Sequence, residues 1–138
     1  MHRGQKLGKG QSSVVFKGQW KDEVVAIKVL KIETQPTDLN DFKKELYILS
    51  QLRGPHIVHF YGVTLEPKLC IVMEYCENGN LLSYMTANKK DINWDIVLGW
   101  AIQTAKGINT LHQWKPPIVH RDLKSLNLLL DKSLNIKV

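Results

Sequence analysis

Two runs near the start of the chain are dense in β-branched and aromatic side chains: SVVFKGQW (13–20) and EVVAIKVLK (23–31), joined by Lys21-Asp22. That texture suits strands, and a two-residue joint suits a tight hairpin. A second pair, IVHFYGV (57–63) and KLCIVMEY (68–75), repeats the pattern across a TLEP turn. Between the pairs the period changes. Phe42, Leu46, Leu49 and Leu52 recur every three or four residues after the start signal Pro36-Thr37-Asp38. This predicts a helix, ended by Gly54-Pro55.

Beyond residue 76 the pattern is mainly helical. NLLSYMTANKK (80–90) predicts a short helix after an Asn78-Gly79 turn. Asn93 is placed to cap a longer helix whose apolar stripe is Val97, Trp100, Ala101, Ala105, Ile108 and Leu111. Residues 113–117 read as a loop; Ile118-Val119, 128–130 and 136–138 read as short strands. Neither an internal repeat nor a low-complexity linker breaks the chain. The fold class expected is therefore α+β, strand-rich over 1–76 and helix-rich over 77–138.

Composition narrows the function classes. The chain has 138 residues, enough for one domain or part of a larger one. With 43% hydrophobic and 23% charged residues, global disorder is excluded. The formal charge of +6 raises a polyanion partner, but basic runs stop at two residues (Lys43-Lys44 and Lys89-Lys90) and acids are interleaved. A solvated basic surface and no nucleic-acid partner are expected. The opening MHRGQKLGKG lacks the apolar core of a signal peptide, and no apolar run approaches the ~20 residues of a membrane span. Cys70 and Cys76 would lie about 20 Å apart in one extended segment, beyond disulfide reach. They also lack metal-ligand spacing, so a reducing, cytoplasmic location is expected.

Three stretches carry candidate chemistry. In GKGQSSVV (8–15), two glycines one residue apart let backbone N–H groups approach an anion, although this stretch taken alone fits a plain hairpin turn better. Its place between strands, rather than opening a helix, argues against a dinucleotide fingerprint and a Walker A loop. In VAIK (25–28), Lys28 shares a strand face with Ala26 and Leu30. A lysine there is costly unless it finds an anion or reaches water. Glu45, mid-helix between Phe42 and Leu46, is the candidate partner. In IVHRDLKSLNLLL (118–130), Asp122 can act as a base, with Lys124 near enough to stabilise transferred negative charge. Arg121 can hold a carboxylate or a phosphate, Asn127 offers a carbonyl oxygen to Mg²⁺, and 128–130 anchors the loop to a core.

Together and in this order, these stretches resemble a eukaryotic-type protein kinase: the Gly-rich loop at 8–15, the third-strand motif at 25–28 and the catalytic loop HRDLKSLN at 120–127. The resemblance covers essentially the whole chain. It implies a bilobal protein-kinase-like fold. A five-stranded antiparallel N-lobe sheet with one helix and the hinge would occupy 1–76; a partial, mainly helical C-lobe would occupy 77–138. Leu7, Gly8, Lys9, Gly10, Gln11, Ser12 and Ser13 would close over ATP. Lys28 would hold the α/β-phosphates and be held by Glu45; Asp122 would orient and deprotonate a protein substrate's hydroxyl; Asn127 would bind Mg²⁺. Met73, Glu74 and Cys76 resemble a gatekeeper and hinge, where the Glu74 carbonyl and the Cys76 N–H and carbonyl would pair with adenine. Val15, Ala26 and Leu129 would sandwich the ring, and Asn80 would meet the ribose.

Lys124, two places after the Asp, resembles Ser/Thr enzymes, and HRDLKSxN resembles the tyrosine-kinase-like group with its mixed-lineage and Raf-type members. Two departures stand out. Ser13 replaces the loop's third glycine. The family's Asp-Phe-Gly would follow Val138, so the domain is expected to stop short of a metal-binding Asp, to transfer phosphate weakly if at all, and to cover only part of the 97–111 stripe. A non-catalytic nucleotide-binding or scaffolding module is the alternative. The presence of Lys28, Glu45, Asp122 and Asn127 argues against it.

Overall fold

The computed structural model describes residues 2–9, 13–31, 36–65 and 68–138, with their side chains except those of residues 2, 36–42 and 45. The chain forms two compact units, Met1–Leu52 with His59–Tyr75, and Arg53–Val58 with Cys76–Val138.

The first unit is a five-stranded sheet and one helix. Strands β1 (His2–Lys9), β2 (Ser13–Trp20), β3 (Glu23–Leu30), β4 (Phe60–Thr64) and β5 (Cys70–Glu74) run in the order β1-β2-β3-β5-β4, every neighbour antiparallel. The strand with the longest apolar, β-branched run, β3, takes the centre. Its Val25, Ile27 and Val29 join Cys70 and Val72 in one buried cluster, against which Phe16, Trp20 and Tyr61 pack. β2 and β3 meet through the two-residue turn foreseen at Lys21-Asp22. Lys21 takes a φ of 52°, as the primed hairpin turns require, and its ammonium lies 4.5 Å over the Trp20 ring. Helix α1 (Pro36–Gln51) begins where the start signal stands and ends three residues before Gly54.

The strand read at 57–63 starts later than its apolar pattern suggests. Residues 56–58 pair instead with the second unit. Val58 N–H donates to the Val138 carbonyl (3.2 Å) and Val138 N–H to the His56 carbonyl (2.9 Å), so this segment's backbone groups are engaged away from the sheet.

The second unit holds α2 (Leu81–Ala87), α3 (Trp94–His112) and a two-stranded sheet of β6 (Leu129–Leu130) and β7 (Ile136–Lys137). Gly79 turns the chain with a φ of 66°, and Asn80 caps α2 by accepting from Ser83 N–H at 2.9 Å. Asn93 caps α3 as expected, accepting from Ile96 N–H at 3.0 Å. Leu81, Trp100, Leu128, Leu130 and Ile136 form the core, with Leu130 and Ile136 fully buried.

The inner face of α3 is rotated from the expected stripe. Trp100, Gly107 and Leu111 are buried, Val97 and Ile108 half-buried, but Ala101 and Ala105 are exposed. Polar and small residues take the inward places because they meet specific partners. The Gln103 amide oxygen accepts from Ile136 N–H (2.8 Å) and its nitrogen donates to Asn135 (3.1 Å); Gly107 lies against the His56 carbonyl and Val138. The strand expected at Ile118-Val119 is absent: Ile118 N–H donates to the Leu111 carbonyl (3.0 Å), turning the chain back on α3.

Candidate active site

In the first unit, register decides which candidates share a face. Directly opposed residues of an antiparallel pair project to the same side. Val15 lies opposite Lys28, and Lys28 opposite Ile71; Lys17 lies opposite Ala26, and Ala26 opposite Met73. Val15, Ala26, Lys28 and Met73 therefore occupy one face of the sheet, away from the buried Val25, Ile27 and Val29. Gly8 opposes Val15 from β1, so the first glycine of the loop stands over the same row. Leu7, Gly8 and Lys9 are exposed on β1, Ser13 is buried at the start of β2, and Gly10, Gln11 and Ser12 lie outside the described residues. Glu45 is on α1, but its side chain lies outside the described residues, and with it the expected Lys28–Glu45 pair.

Glu74 closes β5. Its N–H donates to the His59 carbonyl (2.8 Å), and its carboxylate accepts from the His59 N–H (3.1 Å). Tyr75 follows, with the Lys17 ammonium 4.7 Å from its ring centre. Nearby, burial first, then the hydrogen bond to Glu23 and the charges of Glu23 and Glu74, push the Tyr61 hydroxyl's pKa up.

In the second unit the catalytic-loop candidates converge. The Lys124 ammonium lies 3.2 Å from the Asp122 carboxylate. The Asn127 amide nitrogen donates both to that carboxylate (2.8 Å) and to the Asp122 carbonyl (2.9 Å). Asp122 N–H donates to His120 Nδ1 (3.3 Å), and Asn127 N–H to the Lys124 carbonyl (2.8 Å) within a short 3₁₀ turn. Lys124, and after it Asn127, hold the Asp122 carboxyl below its usual range although it is exposed. Asp122 is thus an exposed carboxylate whose ionised form is favoured and whose orientation is set by Lys124 and Asn127. The Asn127 nitrogen is committed to Asp122, which directs the amide oxygen elsewhere, as a hard cation requires.

The loop is anchored on its C-terminal side. Leu81 N–H donates to the Leu128 carbonyl (2.8 Å), and Leu130 N–H to the Gly79 carbonyl (2.9 Å). Leu129 thereby bridges to Asn80, so the residues expected near adenine and ribose from this unit are neighbours. Cys76 is buried, and its carbonyl accepts from Gly79 N–H at 3.2 Å. Three features had no signal in the sequence. Arg121 holds a left-handed φ of 67° next to Asp122, His120 receives the Asp122 N–H, and Lys17 stacks on Tyr75. The first two arise at a backbone turn, and the third needs a cation and a ring that the sheet register brings to one face.

Comparison with known proteins gives the family. Residues 1–138 match the family described as protein tyrosine and serine/threonine kinase. A stress-activated protein kinase alpha of Dictyostelium discoideum is 53% identical over 134 residues, covering 97% of this chain and 21% of that protein. A probable serine/threonine-protein kinase of the same organism is 50% identical over 133 residues, covering 96% of this chain and 6% of its own length. A putative serine/threonine-protein kinase/receptor of Acanthamoeba polyphaga mimivirus is 36% identical over 137 residues, covering 98% of this chain and 8% of that protein. The chain thus spans about a fifth or less of these relatives' length. The match runs over every residue from the glycine loop to the Asp122–Asn127 cluster, and by it the chain belongs to the protein tyrosine and serine/threonine kinase family.

Proposed function

We propose that the protein carrying this chain is an ATP- and Mg²⁺-dependent kinase that transfers the γ-phosphoryl group to Ser/Thr hydroxyls of protein substrates, in a tyrosine-kinase-like signalling role. The observation that carries the reading is the ionised Asp122 held by Lys124 and Asn127. Asp122 orients the acceptor hydroxyl and takes its proton. Lys124 stabilises charge at the transferring group. Asn127 offers its amide oxygen to Mg²⁺, which neutralises phosphate charge when bound. Leu7 and the loop through Ser13 cover the phosphates, Lys28 holds them, and Glu45 holds Lys28. Val15, Ala26 and Leu129 flank the adenine, Met73, Glu74 and Cys76 line its edge, and Asn80 meets the ribose. Lys124 in HRDLKSLN and the relatives' Ser/Thr kinase names support the Ser/Thr acceptor.

Two free cysteines, both buried, support a cytoplasmic site of action, and no helix among the described residues is long and apolar enough to cross a membrane. Phosphate transfer from labelled ATP to a generic protein acceptor, followed by phosphoamino-acid analysis, tests the proposal in the full-length protein. Asp122→Asn is expected to lower transfer about 10²–10⁴-fold while leaving nucleotide affinity within about twofold. Transfer unaffected by Asp122→Asn, or phosphate found mainly on tyrosine, would overturn it.

A further inference from the structure

The cation–π contact between Lys17 and Tyr75 joins two residues that no motif singles out. Lys17 is on β2, opposite Ala26, and Ala26 is opposite Met73. Lys17 therefore stands on the same sheet face as Val15, Ala26, Lys28 and Met73, in the row next to Lys28. A lysine there has two ordinary courses: to extend into water, or to find an anion. It does neither. Its ammonium lies 4.7 Å from the centre of the Tyr75 ring, and both residues are half-buried.

Tyr75 is the first residue past β5. The sheet ladder reaches Glu74, which is held by the Val25 pairing and by the His59 backbone. After Glu74 the chain leaves the sheet, and Cys76 belongs to the second unit. Tyr75 is thus the point where backbone direction is no longer set by strand pairing, and Lys17 is a side chain from inside the sheet that holds it. Resting on the proposed function, in which the backbone of 74–76 pairs with adenine, we infer that Lys17 is a positioning residue. Through the Tyr75 ring it holds the backbone that follows β5 against the sheet and so raises nucleotide affinity without touching the nucleotide.

The interaction depends on a cation facing a π-face, so the chemistry of the pair predicts which replacements keep it. Arginine stacks on an aromatic ring at least as well as lysine, and phenylalanine presents a similar face to tyrosine. Methionine keeps much of the length of Lys17 but loses the charge; leucine keeps the bulk at 75 but loses the ring.

Two readouts on the purified full-length protein test this. The first is ATP affinity by calorimetry. Lys17→Met and Tyr75→Leu are each expected to weaken Kd about two- to fivefold, on the order of 0.5–1 kcal/mol, while Lys17→Arg and Tyr75→Phe stay at the starting value. Lys17→Met combined with Tyr75→Leu should be no weaker than either alone, because both remove one contact. The second readout needs no nucleotide: amide hydrogen exchange at 74–76 should accelerate in Lys17→Met and not in Lys17→Arg, with exchange over 25–29 unchanged. An unaltered Kd and unaltered exchange in Lys17→Met would overturn the inference and leave the proposed function standing. So would multiplied effects in the double variant. Faster exchange at 74–76 in a protein that binds no ATP would instead overturn the proposed function while retaining the Lys17–Tyr75 anchor.

Discussion

At Asp122 two neighbours within five residues decide the state of the carboxyl. Lys124 is the larger influence and Asn127 the second, and both favour the ionised form. A lowered pKa means that Asp122 stays ionised as pH falls through the ordinary carboxylate range near ~3.9 and is protonated only below it. Lys124→Met removes the larger influence. An NMR titration of the Asp122 carboxyl carbon should show its midpoint moving up toward ~3.9 in that variant, with the wild-type midpoint below; an unmoved midpoint would show that Lys124 does not set the charge. Tyr61 runs the other way. Burial and the Glu23 carboxylate keep its hydroxyl protonated, so the associated stability is present below the unfolded value near ~10 and is lost as pH rises through the raised folded value. In Glu23→Gln the Tyr61 titration should shift down yet remain above ~10, because burial, the first cause, is left. A Tyr61 midpoint unchanged by Glu23→Gln would refute the hydrogen bond.

At the scale of elements, α3 shows hydropathy and packing in conflict. Gly107 is a poor helix former, and alanine there would gain about 1 kcal/mol by propensity alone. A Cβ at 107, however, would lie 2.8 Å from the His56 carbonyl oxygen and 2.6 Å from Val138 Cγ2. The carbonyl belongs to backbone that is itself paired with Val138, so it cannot simply swing aside. Gly107→Ala is expected to destabilise by about 1–3 kcal/mol, read by chemical denaturation. A stabilised variant would mean that the 56–58 segment yields freely. Gly99, on the same helix, has open space where a Cβ would go, and alanine there should stabilise by up to about 1 kcal/mol.

Over the whole molecule, each unit has a buried cluster of its own. One is built on Val25, Ile27, Val29, Cys70 and Val72, the other on Leu81, Trp100, Leu128, Leu130 and Ile136. On the face of α3 turned away from the 118–138 stretch, Leu98, Ala101, Ile102 and Ala105 are exposed. The 118–138 stretch buries Trp100, whose indole N–H donates to the Leu134 carbonyl at 2.9 Å. Slow amide exchange is therefore expected both at 25–29 and at 128–130. Fast exchange at 128–130 would show that the second cluster does not close. Leu130→Ala, which empties a fully buried site, should cost about 2–5 kcal/mol in that unit's unfolding transition.

The sequence by itself determined most of the element types, the hairpin at Lys21-Asp22, the cap at Asn93 and the compact Asp122–Lys124–Asn127 cluster. Each depends on residues close along the chain, where period, turn chemistry and spacing act directly. Four of the five strands were legible as hydrophobic patterns; β1, polar and at the sheet edge, was implied only by the glycine loop that follows it. Only the tertiary structure decided that 56–58 leaves the sheet, that α3 turns Gln103 and Gly107 inward and Ala101 and Ala105 outward, and that Lys17 meets Tyr75. Those outcomes depend on partners from thirty to more than eighty residues away along the chain. A hydrogen bond to a distant backbone, a carbonyl needing room for close approach or a ring meeting a cation outweighs the hydropathy of the residue itself.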